Sequence, residues 1–236
     1  MKSLTSKLKS IDFKPAGLVE KRSEAMTEAI LEGVFKEGDQ LTELELQKQF
    51  NISRTPIRES FRVLEKKGLV EVIPRRGTFV KRISPRDIEE HFPVRSVLEG
   101  LAAKEAYVKM SPGTLEAMER ALARMKAAAD NEDTKNYWKQ HILFHEIFID
   151  ASDNQLLIGL LKNLRMQLMW YRLSYQYYQE DFKSSYRTHE KIMGLFRSRH
   201  TDPDRLEAAV RAHIEEAVGK FLGYLDEQGK LQALMK

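Results

Sequence analysis

The sequence predicts a mainly α-helical chain in two parts: a head of three helices closed by a two-stranded β-hairpin, then an antiparallel bundle of about six helices. Three observations carry that prediction. Apolar residues recur at helical spacing over most of the length. The period turns strand-like only once, between Leu69 and Arg82. Later helices open on a capping residue followed by proline, at Ser84-Pro85, Ser111-Pro112 and Asp202-Pro203.

The elements follow in order. Residues 18–35 place Leu18, Ala25, Ala29, Ile30 and Val34 on one helical face, with Gly33 and Gly38 punctuating its end. Thr42 with Glu45 forms a capping-box pattern that opens a second helix through Phe50, and Asn51-Ile52 makes a tight turn. Ser53 or Thr55 caps a third helix to about Lys67, with Pro56 in its first turn, Ile57, Phe61 and Leu64 inward, and Gly68 at its end. Leu69–Ile73 and Thr78–Arg82 then read as strands around a Pro74-Arg75-Arg76-Gly77 turn. Three helices and a hairpin make a winged helix-turn-helix over residues 15–83, behind a flexible arm of residues 1–14. The bundle occupies 84–230, with helices near 85–109, 112–129, 133–151, 154–179, 182–199 and 203–226. Short connections make neighbouring helices antiparallel.

Composition narrows the function. With 236 residues, 42% hydrophobic and 31% charged, the chain can bury a core and is not disordered throughout. The absence of cysteine excludes disulfides, thiolate metal sites and cysteine nucleophiles, and agrees with a reducing compartment. No apolar run reaches the ~18–20 residues of a membrane span, and the basic N-terminus lacks a signal-peptide core, so a cytoplasmic protein with no membrane partner is expected. The net charge of +4 is segregated: residues 1–83 hold 17 Lys and Arg against 12 Asp and Glu, the remainder 22 against 23. A basic head on a near-neutral body points to a polyanion partner.

Within the head, Arg54 and Arg58 lie one turn apart at a helix start, beside Ser53 and Thr55. Free N–H groups there suit a phosphate, and the two arginines can reach base edges. The hairpin tip (Arg75, Arg76, Gly77) can enter an adjacent minor groove. An ordinary solvated charged face is the competing reading. The stretch Glu37–Ile83 resembles the DNA-binding domain of the GntR family of bacterial regulators through Gly38, Leu41, Glu43, Leu46, Ser53-Arg54-Thr55-Pro56, Arg58-Glu59, Leu64, Gly68-Leu69-Val70 and Gly77. The resemblance implies that Arg54, Thr55 and Arg58 belong to a recognition helix and Arg76-Gly77 to a wing tip. It implies a homodimer on a short palindromic double-stranded operator. Leu44 stands where some members carry arginine, which removes one contact.

Four of six histidines, His141, His145, His189 and His213, fall on apolar helical stripes. An i, i+4 imidazole pair can chelate an ion, although a lone histidine on such a face is more often a core residue bonded to a carbonyl. Val94–Glu99, Phe144-His145, Asn154–Leu157, His189–Ile192 and Arg211–His213 resemble the FadR-type effector domain (FCD) of the same family, from about Arg86 to Leu225. Many such domains hold a metal by Asp-x-x-x-His plus two later histidines, which implies His141, His145, His189 and His213 here, with histidine replacing the usual aspartate. All-nitrogen ligation favours a divalent transition metal, Zn²⁺ first and Ni²⁺ or Cu²⁺ next. Loss of the carboxylate could instead leave the site metal-free. Arg95 and Glu99 share the inward face of the first bundle helix, where a guanidinium suits a carboxylate effector; a simple i, i+4 ion pair is the alternative. The aromatic stretch 169–178 supplies Tyr171 and Arg172 as further effector contacts, or else serves as core or dimer interface.

The expected protein is a ligand-responsive transcriptional regulator, with repression relieved by a small organic acid as the family's common outcome. Two other classes compete with it. In one the metal itself is the signal. In the other the chain is a metal-dependent hydrolase, but His-Glu-x-x-His is broken by Ile149 and Met193, and no carboxylate lies between His141 and His145 to act as a base. No enzyme is expected.

Overall fold

The computed structural model describes residues 19–31, 33–50, 53–82, 84–164 and 182–227. The chain divides into two compact units at the junction of residues 83 and 84. The first contains α1 (Val19–Leu31), β1 (Gln40–Leu41), α2 (Glu43–Phe50), α3 (Arg54–Lys66), β2 (Val70–Ile73) and β3 (Gly77–Val80). α1 buries Met26, Ala29 and Ile30 and stops at Leu31, four residues short of the expected end. Gly33, with φ of 73°, turns the chain there so that Phe35 enters the core. α3 buries Ile57, Phe61 and Leu64 at the expected spacing. Its C-terminus closes as a Schellman motif, with the Gly68 amide donating to the Glu65 carbonyl (2.9 Å) and the Leu69 amide to the Leu64 carbonyl (3.0 Å). Gly68 takes the left-handed conformation this requires, with φ of 68°.

The sheet has three antiparallel strands in the order β1-β3-β2, where the sequence predicted two. The extra strand pairs Gln40 with Phe79 and Leu41 with Thr78. Two residues leave no alternation for pattern reading to detect. In the hairpin Ile73 faces Gly77, and the Arg76 amide closes the turn on the Ile73 carbonyl at 3.0 Å. Arg75, rather than a glycine, takes the left-handed position, with φ of 63°.

The second unit contains α4 (Pro85–Lys109), α5 (Pro112–Asp130), α6 (Thr134–Ala151), α7 (Gln155–Asn163), α8 (Phe182–Arg197) and α9 (Pro203–Glu227). Side chains before these helices cap them, at Ser84 and Ser111 as the sequence predicts and at Asn154 in addition. Ser84 and Asp87 form a reciprocal capping box, Ser111 accepts from the Thr114 amide, and Asn154 from the Leu157 amide. α4 runs unbroken through Pro93. The helix expected over 154–179 is described as far as Asn163; the rest of that span lies outside the described residues. The core joins Ile88 and Phe92 of α4, Met118 and Met125 of α5, Trp138, Phe144 and Phe148 of α6, Met193 of α8 and Val210 of α9. α4 and α9 meet closely at Gly100, where a Cβ would fall 2.6 Å from the Arg211 Cγ and 3.0 Å from the Glu207 carbonyl oxygen.

Candidate functional site

In the first unit, Ser53, Arg54, Thr55 and Arg58 are all exposed at the start of α3. Ser53 is the N-cap but its hydroxyl makes no capping hydrogen bond, so the first-turn amides are not satisfied by it. α2 steadies both arginines: Arg58 Nε donates to Glu43 Oε1 at 2.8 Å, and Arg54 Nε to Gln47 Oε1 at 3.4 Å. Leu44, also on α2, is half exposed. At the wing, Arg75, Arg76 and Gly77 are exposed, and the Arg76 guanidinium lies 5.8 Å from the Phe79 ring centre. Gln40 Nε2 donates to the Arg76 carbonyl at 2.8 Å and packs where a Cβ on Gly77 would sit. β1 therefore braces the tip. Sequence reading missed Gln40, because nothing local signals a partner 36 residues away.

In the second unit the structure brings His141 and His145 of α6, His189 of α8 and His213 of α9 together. One ring nitrogen from each lies within 4.8 Å of the others, and all four residues are buried. His91 and His200 stay outside this group. Helical spacing explains the α6 pair; the other two arrive through packing, with the His189 and His213 ring centres 4.4 Å apart.

Hydrogen bonds fix the tautomers of two rings. His145 Nδ1 lies 2.6 Å from Glu99 Oε2, and His189 Nδ1 lies 2.8 Å from the Ser185 carbonyl. An ionised carboxylate and a carbonyl can only accept, so both Nδ1 atoms carry the proton. The two Nε2 lone pairs then face each other at 3.2 Å. Two acceptors at that distance repel unless a proton or cation lies between them. Two nitrogens bound at about 2.0–2.1 Å on adjacent corners of one ion's shell stand roughly 3.0–3.4 Å apart, so the spacing fits a shared transition metal. His141 supports the same fit, because its buried Nδ1 has no hydrogen-bond partner.

The electrostatics keep His141, His189 and His213 available as ligands. Burial pushes the His141 and His213 imidazoles well below their ordinary range, and the neighbouring rings push further. Burial and the nearby His145 bring His189 down to about 3. Neutral imidazole is the metal-binding form. Glu99 moves against its burial: desolvation alone would raise it, but Arg95 and His145 hold its carboxyl down to about 2. Arg95 Nε donates to Glu99 Oε1 at 2.5 Å, with Glu99 fully buried and Arg95 nearly so. The Arg95 guanidinium also lies over the Phe92 ring at 5.7 Å. The i, i+4 ion pair is thus formed, and Glu99 spends its second oxygen on His145. Tyr171 and Arg172 lie outside the described residues.

Both units are similar to known proteins. Residues 19–80 match the family model of the bacterial regulatory proteins, gntR family, and residues 90–216 that of the FCD domain. The HTH-type transcriptional regulator YdhC of Bacillus subtilis is 29% identical over 85% of this chain and 89% of its own. The HTH-type transcriptional repressor RspR of Escherichia coli is 26% identical over 76% and 78%. The gluconate operon transcriptional repressor of Bacillus licheniformis is 24% identical over 81% and 79%. Among solved structures, E. coli McbR/YncC superposes with a TM-score of 0.73 at 16% identity, covering 88% of this chain and 98% of that one. A GntR regulator from Rhodococcus sp. RHA1 gives 0.71 at 20% identity, covering 87% and 97%. At such identities the structural likeness speaks for the fold.

Proposed function

This chain belongs to the gntR family of bacterial regulatory proteins and carries an FCD domain, and from that premise we propose a ligand-responsive repressor whose helical domain binds a small organic acid beside a His-held divalent metal. The observation that carries the reading is a juxtaposition. Four buried imidazoles converge within 4.8 Å, and Arg95, buried on the neighbouring helix, connects to one of them through Glu99.

Residues 15–83 serve as the DNA-binding domain. Arg54, Thr55 and Arg58 read the major groove, the α3 amides and Ser53 seat a phosphate, and Arg75, Arg76 and Gly77 follow the minor groove. A homodimer places two such heads on a short palindrome. Residues 84–230 serve as the sensor and dimerisation domain. His141, His145, His189 and His213 hold the ion, with Zn²⁺ the first choice and Ni²⁺ the second. A bound dication offers a positive centre to an acid's carboxylate, and four neutral ligands leave that charge uncompensated. The terminal nitrogens of Arg95 are available for a second oxygen of the acid, since its ion pair with Glu99 uses Nε. The acid then shifts DNA affinity by preferring one arrangement of the paired heads.

The test is metal analysis of the purified protein followed by a thermal-shift panel of sugar acids, hydroxy acids, dicarboxylates and fatty acids. Bound Zn²⁺ or Ni²⁺ is expected, and one acid class at 100 times its dissociation constant should stabilise the protein by about 2.7 kcal/mol, or roughly 5–10 °C. That acid should also release a duplex selected on the protein. A flat panel overturns the acid sensor, and release by metal alone assigns the signal to the ion.

A further inference from the structure

We propose that Glu99 is a positioning residue: it holds the His145 ring with its Nε2 lone pair toward the other three imidazoles while anchoring Arg95, and so couples the anion-binding arginine to the metal ligands. The inference rests on the function proposed above. It goes beyond that function in taking Glu99 away from the effector and making it the link between the two halves of the site.

Three features argue for it. Both carboxylate oxygens are committed, Oε1 to Arg95 Nε at 2.5 Å and Oε2 to His145 Nδ1 at 2.6 Å, which leaves neither aimed at a ligand. All three side chains are buried, so water does not substitute for a lost partner at little cost. The direction of the His145 proton follows from Glu99 alone. With a proton on Nδ1, the ring offers Nε2 as a ligand; with the tautomer reversed, it would aim an N–H at His189 Nε2, 3.2 Å away. His189 has an orienting acceptor of its own in the Ser185 carbonyl. That acceptor is backbone, fixed by α8, whereas the one for His145 is a side chain that substitution can change.

Glutamine tests this sharply. It keeps the shape of glutamate but presents one accepting and one donating group, while Arg95 and His145 both need an acceptor. In Glu99→Gln one of the two must lose. Zn²⁺ affinity of the full-length protein, measured at neutral pH against a chromophoric chelator, is expected to fall roughly 10–100-fold. In Arg95→Met/Glu99→Gln the amide oxygen is released to face His145, and affinity is expected to return to within about threefold of the unaltered protein. In Arg95→Met/Glu99→Leu no acceptor remains, and affinity stays as low as in Glu99→Gln. Unaltered affinity in Glu99→Gln overturns the inference, as do equal affinities in the two double variants. That pair decides the matter even where the single variant fails to fold, because neither leaves a buried arginine without its counter-charge. An unaltered protein that takes up no Zn²⁺ overturns the metal reading and this inference together. Normal Zn²⁺ uptake with indifferent variants overturns this inference alone.

Discussion

In chelator-treated protein, lowering the pH should destabilise the helical unit over a window set by His141, His189 and His213. All three titrate below the ordinary imidazole value of 6.5 in the folded protein, His189 at about 3, with burial as the first cause. Below pH 6.5 the unfolded chain takes up protons that the folded chain refuses. Stability is therefore complete above that pH and falls as the pH drops through and below it. Each ring costs about 1.4 kcal/mol per pH unit once well into the window. Three rings give a loss of about 4 kcal/mol between pH 7.5 and 5.5, a large share of the roughly 5–15 kcal/mol that holds a domain together. Glu99 plays no part there, since its contribution is lost only as the pH falls below 4.5 toward about 2. The assay is urea unfolding of chelator-treated protein at several pH values, followed by tryptophan fluorescence. Trp138, one of two tryptophans with Trp170, is buried with its ring centre 4.9 Å from that of His141, so a Trp170→Phe background makes the emission report on the cluster. At a slope of about 2 kcal/mol per molar urea, the midpoint should drop by about 2 M. A midpoint that does not move between pH 7.5 and 5.5 refutes the claim that these rings are held neutral.

Three further outcomes are expected. Arg75→Gly relieves a left-handed non-glycine residue and should stabilise the head by about 1 kcal/mol in thermal melts; in salt titrations of duplex binding it should lower the slope by about one, as a lost phosphate contact does. Arg58→Ala should cost about 1–3 kcal/mol in binding to a selected duplex and relax preference at one position of each half-site, which a mismatch series measures. Ser84→Ala removes the acceptor of the α4 capping box and should cost about 1 kcal/mol in the urea midpoint of the second unit, with Zn²⁺ affinity unchanged.

The helices were legible because their signals are local. Ser84 and Ser111 before proline and Gly68 after Lys67 each act within a few residues of where they stand, and each appears where expected. The third strand was not, because Gln40 and Leu41 acquire their strand character only from Phe79 and Thr78. The four histidines were picked out by stripe and by resemblance, and the structure brings them together, but their mutual orientation was beyond reach. The bond from Glu99 to His145 spans 46 residues and two helices, and leaves no periodic trace. The Arg95–Glu99 pair had its i, i+4 signature, which is why it could be weighed from the sequence as an alternative to an effector contact.

Gly100 has no side chain to offer a ligand, yet it sets a spacing between two helices of the site. It lets α4, with Arg95 and Glu99, come close to α9, with His213, at the points where Arg211 and Glu207 pass. A bulkier residue would meet the Arg211 side chain and the Glu207 carbonyl and press on the helix that carries His213; on the proposed reading, that strains one of the four metal ligands. On that reading, the geometry offered to an ion is set in part at a helix crossing.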